Sequence, residues 1–111
     1  MSYRTSSARS VAAHVLMRVA KDDAFAAVAL DAELARAKLA PRDIALATEI
    51  TYGTLRSLVD IDAQLARFLT KPAASLDENI RAILRTGAYQ ILYLSRIPVH
   101  SVVDESVNLV S

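Results

Sequence analysis

Apolar and polar positions along this chain alternate with a helical period, not the two-residue period of a strand. Ala8, Val11, Ala12, Val15 and Val19 recur at steps of three and four, which predicts a first helix starting near Ser6 or Ser7, either of which can cap it. His14, Arg18 and Lys21 form a second stripe elsewhere on its surface, and "KDDA" breaks the pattern. An alanine-rich second helix is expected from about Ala24 to Leu39. Phe25, Val28, Leu30 and Leu34 are its larger apolar groups, and Asp31 and Arg36 face solvent. Pro41 suits the first position of a helix. The pattern then continues to about Leu69, with an interruption near Ser57 to Asp60. Gly53 lies inside that pattern. Glycine costs a helix about 1 kcal/mol relative to alanine, so another helix is expected to approach closely there.

"TKPAAS", residues 70 to 75, reads as a loop, and Ser75 or Asp77 can cap the next helix, roughly Leu76 to Ser95. Its expected core stripe is Ile80, Ile83, Leu84, Gly87, Ala88, Ile91 and Leu94. Arg96-Ile97 must leave the helix, because the residue before Pro98 is driven toward extended geometry. Pro98 or Ser101 opens a last helix through "SVVDESVNLV", still amphipathic at Val103, Val107 and Val110 where the sequence stops at Ser111. That abrupt stop is read as a truncated domain. Nothing reads as a strand, repeat or low-complexity tract, so the expectation is an all-α bundle of about six helices.

Composition narrows the class. With 111 residues, 53% of them hydrophobic and 23% charged, the chain is sized for one domain and too apolar for disorder. Two glycines and three prolines are too few for a many-hairpin β fold. The absence of cysteine excludes disulfides, thiolate metal sites and cysteine nucleophiles within these residues. No apolar run reaches bilayer-spanning length and no cleavable leader closes the first apolar stretch, so the expected location is the cytoplasm. The net charge of +1 hides an asymmetry: Arg4, Arg9, Arg18 and Lys21 occur before residue 22 without an acid among them. Such an arm is either a polyanion-binding feature or simply a solvated basic terminus.

Catalytic chemistry is sparse. His14 and His100 lack the i, i+4 partner of a helical metal site, the acidic pairs fit no acid-base motif, and two glycines cannot build a phosphate-cradling loop. No cofactor or metal is expected. More informative is "RTGAYQILYLSRIPVH", residues 85 to 100. Arg81, Arg85, Tyr89 and Tyr93 recur every four residues, drifting slowly along one side of a helix. Guanidinium groups grip phosphates and tyrosine rings stack on unpaired bases, but the same spacing serves bundle packing.

Three blocks carry a resemblance. "RDIALATEITYGTLRSLVDIDAQLARFL" (42 to 69), "IRAILRTGAYQILYLSRIPVHSVVDESVNLV" (80 to 110) and the N-terminal "SARSVAAHVLMRV" are similar to NusB-type RNA-binding domains. Tyr52-Gly53-Thr54-Leu55-Arg56, Gln90 after Tyr89, and His100 after Ile97-Pro98 resemble one branch more than the other. That branch is the N-terminal domain of RsmB-type small-subunit rRNA cytosine-C5 methyltransferases, as opposed to the free-standing antitermination factors. The family's closing helix and the methyltransferase domain are missing from residues 1–111, and the arginines of the first helix are sparser than in the antitermination factors.

The resemblance implies a NusB-like bundle that binds RNA. In one branch the RNA is small-subunit rRNA positioned for a linked methyltransferase; in the other it is a transcript leader shared with a NusE-type ribosomal protein. Candidate RNA contacts are Arg4, Arg9 and Arg18 on the first helix, with Arg56, Arg85 and Tyr89 as family-matched positions. A protein-interaction or homodimerisation domain stays open, since a bundle without its last helix leaves apolar surface uncovered. A self-contained enzyme is not expected.

Overall fold

A computed structural model of the chain describes residues 7–94. Arg4, His100 and the expected last helix lie outside them. The described residues contain five α-helices and no strand: α1 (Ala8–Asp22), α2 (Ala26–Ala37), α3 (Pro41–Arg56), α4 (Leu58–Leu65) and α5 (Glu78–Tyr93), with a 3₁₀ turn at Ala73–Ser75. The fold is all-α.

Local chemistry sets the boundaries. Ser7 caps α1, its hydroxyl oxygen accepting from the Ser10 amide at 3.0 Å, while the Ser10 hydroxyl donates back to the Ser7 carbonyl at 2.9 Å. Asp77 caps α5 by accepting from the Asn79 amide at 3.0 Å. Pro41 stands at the first position of α3, and Ser57 is the single break between α3 and α4. Asp23 and Lys38 end α1 and α2 in the left-handed conformation, with φ of 56° and 55°.

α1 is the hub. It packs against α2, α3 and α5, and its buried residues run nearly around the helix: Ser10, Ala12, Ala13, Val15 and Leu16. The expected single apolar face is therefore too narrow. A helix lined all round by small or apolar residues belongs in the middle of a bundle, and "VAAHVLM" has that composition. One core cluster joins Val11 and Val15 to Ala29, Leu30 and Ala47. The other joins Ala12 to Ile50, Ile61 and Tyr89.

Two expectations need correcting. The buried side of α5 is Ala82, Ile83, Thr86, Gly87, Tyr89 and Gln90, so Ile80 and Ile91 lie in the exposed part of the helix instead of the core. Thr86 and Gln90 can be buried because each bonds the helix backbone itself: Thr86 donates to the Ala82 carbonyl at 2.9 Å and Gln90 to that of Thr86 at 3.0 Å. Phe25 and Val28 are likewise exposed, and α2 buries Ala29, Leu30 and Glu33 instead.

The close approach expected at Gly53 is present. A β-carbon built there would overlap Cζ and the hydroxyl oxygen of Tyr89, well inside contact distance. Gly53→Ala therefore sets helix propensity, which favours alanine by about 1 kcal/mol, against overpacking, which costs about 1–3 kcal/mol. The expected result in urea unfolding is a net loss of stability; a gain would show that the Tyr89 ring shifts freely.

Candidate nucleic-acid interface

The four-residue stripe on α5 is almost wholly occupied by contacts within the molecule. Because it drifts around the helix, each member meets a different neighbour. Arg81 donates to the Ala74 carbonyl at 3.0 Å, bracing the 3₁₀ turn. Arg85 forms a two-pronged pair with Asp62 of α4, Nε to Oδ1 at 2.9 Å and Nη2 to Oδ2 at 2.6 Å. Tyr89 reaches α3, where its ring covers Gly53 and its hydroxyl donates to the Glu49 carboxylate. Tyr93 stacks on Tyr89 with ring centroids 5.2 Å apart and planes 23° from parallel.

Tyr89 is 4% exposed whereas Tyr93 is 46% exposed. The aromatic surface on offer is thus Tyr93, with Tyr89 as its buried support. Burial, together with the carboxylate of Glu49, pushes the Tyr89 phenol up to about 12 from its ordinary 10.0.

The first-helix arginines do not share a face. Arg9 and Arg18 are about two and a half turns apart and point to opposite sides. Arg9 Nε donates to Oε1 of buried Gln90 on α5 at 2.7 Å. Arg18 lies on the α2 side, 3.5 Å from the carboxylate of buried Glu33, which Arg36 also approaches at 3.5 Å. A buried carboxylate needs such partners, because an unpaired charge there is costly.

Arg56 is held far more loosely. Its guanidinium lies 4.0 Å from Glu49 and its side chain is 68% exposed. Tyr52 lies one helical turn before Arg56 on α3 and is 38% exposed. The structure therefore brings Arg56 to Tyr89 through Glu49, while Arg9, Arg18 and Arg85 each serve a different helix pairing. The sequence pattern marked Tyr52 as a family-matched position but offered neither it nor Glu49 as a contact residue. The available signal was their spacing from Gly53 and Arg56, at one-turn steps on the outer side of α3.

A cleft of about 210 Å³ lies among α1, α3, α4 and α5. Its walls are mostly aliphatic (Leu16, Val19, Leu55, Leu58), and Glu78, Arg81 and Arg85 also line it. It is smaller than the usual range of small-molecule sites. Among the described residues no group of His, Cys, Asp or Glu is placed to hold a metal, and no helix is long and apolar enough to cross a membrane.

With this geometry in place, the family model described as the NusB family matches residues 6–111. The chain belongs to the NusB family. Transcription antitermination protein NusB of Halorhodospira halophila is 34% identical over 106 residues, covering 96% of this chain and 68% of that protein. Ribosomal RNA small subunit methyltransferase B of Pseudomonas syringae pv. tomato is 34% identical over 99 residues. That match covers 89% of this chain but 21% of the methyltransferase, so the chain spans about a fifth of such relatives. The fold also matches a chain in the crystal structure of a plectonemic RNA supercoil, with a TM-score of 0.84 and 22% identity. The match covers 98% of this chain and 80% of that one. What is present is a NusB domain.

The buried phenol gives a measurable signature. The Tyr89 pKa is raised on folding, so its contribution to stability is complete below pH 10 and lost as pH rises through about 12. Phenolate absorbance should show one late-titrating tyrosine that disappears in Tyr89→Phe. If all tyrosines ionise together in the folded protein, the Tyr89–Glu49 contact is not as described.

Proposed function

We propose that this NusB-type RNA-binding domain binds small-subunit rRNA and holds it for a cytosine-C5 methyltransferase active site carried elsewhere. The observation behind this is the match to methyltransferase B, which spans nearly all of this chain and a fifth of that relative. The sequence details agree: Tyr52-Gly53-Thr54-Leu55-Arg56 and Gln90 follow the pattern of the methyltransferase branch. On this reading the catalytic cysteine and the methyl-donor site belong to another domain, and the site of action is the cytoplasm.

The contacts are mainly phosphate contacts from the basic first twenty-one residues and from Arg56. Arg4 is the candidate on the N-terminal arm. Arg18 and Arg85 would have to exchange acidic partners for phosphate, so they contribute less than Arg56 and chiefly hold the scaffold. Arg9 is tied to Gln90, and its replacement perturbs the α1–α5 seam along with any RNA contact.

A second reading, a stand-alone antitermination factor acting with a NusE-type ribosomal protein, draws on the equally similar Halorhodospira protein, of which the chain covers 68%. Homodimerisation is a separate property, decided by light scattering.

Binding to a small-subunit rRNA hairpin, measured at low and at physiological salt, tests the proposal. Affinity should fall about tenfold or more for the loss of a few phosphate contacts' worth of counterion release. Absence of binding at low salt, or indifference to salt, contradicts it. Preference for a transcript-leader RNA over rRNA favours the second reading.

A further inference from the structure

We propose that the outer seam between α3 and α5 is a stacking site for one unpaired RNA base, with Tyr93 as the platform and Arg56 as the clamp on its phosphate. Resting on the RNA-binding reading above, the proposal adds where a single-stranded nucleotide is held and by which groups.

Three observations converge. Tyr93 is 46% exposed although aromatic, and it is stacked on Tyr89. Tyr89 is fixed at both ends, its ring against Gly53 and its hydroxyl on Glu49. The platform is therefore held by the core before any base arrives, so little side-chain entropy is lost on binding. Arg56 is the third element. It shares Glu49 with Tyr89 yet remains 4.0 Å away and mostly exposed, so a phosphate could displace that weak pairing at small cost. Tyr52, exposed one turn away from Arg56, extends the aromatic surface toward a neighbouring base.

The charge arrangement favours RNA over a protein partner. A protein hot spot would centre on a dry apolar patch; here the ring that supports Tyr93 bonds a carboxylate, with a guanidinium 4.0 Å beyond it. Rings interleaved with cations are how proteins hold single-stranded nucleic acid with little sequence preference. A duplex, whose bases are already stacked, gains nothing from Tyr93.

The test uses the full chain with a short single-stranded RNA carrying one fluorescent adenine analogue, and a duplex of the same length. The wild type should quench the analogue on binding. Tyr93→Ala should lose the quenching and bind the single strand about tenfold more weakly, with duplex affinity unchanged. Tyr93→Phe, which keeps the ring, should behave as wild type. Arg56→Gln should reduce the salt slope by about one. If the wild type binds the single strand but Tyr93→Ala binds and quenches equally well, this inference fails while the RNA-binding reading stands. If the wild type binds neither RNA, both fail.

Discussion

The seating of Tyr89 on Gly53 is the contact on which the arrangement of this domain turns. The ring occupies the space where any other residue on α3 would place a β-carbon, so it lies directly against the α3 backbone. That closeness brings the phenol to Glu49, and Glu49 in turn lies beside Arg56. Ala12 of the central helix and Ile61 of α4 belong to the same core cluster, so four helices meet at this ring. The same seating supports Tyr93 one turn further along.

Around this core, ion pairs tie helix to helix. Glu33 binds α1 to α2 through Arg18, and Asp62 binds α4 to α5 through Arg85. These acids lie at helix seams, where an arginine stem adds packing to the ion pair. A NusB domain built this way has fewer cations available for a polyanion than its arginine count suggests. Availability depends on what each guanidinium already bonds, which is why Arg56 stands apart from Arg85.

Much of the fold could be read in the sequence, for identifiable reasons. The break at Ser57, the proline start at Pro41 and the caps at Ser7 and Asp77 follow from local chemistry. Gly53 was legible as a close approach because an interior helical glycine needs a reason. The buried face of α5 was legible only in part: Ile83 and Gly87 are buried as expected, but Thr86 bonds its own helix and Gln90 bonds both that helix and Arg9, so both occupy core positions that hydropathy assigns elsewhere. For the same reason the arginine–tyrosine stripe looked like a contact surface. Its spacing was right, but spacing does not reveal that Asp62 and Glu49, far along the chain, meet Arg85 and Tyr89.

The central claim is that a helical scaffold, tied internally by Arg9, Arg18, Arg81 and Arg85, meets single-stranded RNA at the α3–α5 seam and the N-terminal arm. Photo-crosslinking to thiouridine-substituted small-subunit rRNA, with the attached peptides identified by mass spectrometry, addresses it most directly. The account predicts crosslinks in the peptides holding Tyr52 to Arg56 and Tyr93, with others near Arg4. Crosslinks confined to α2, on the side of Phe25 and Val28, would contradict it.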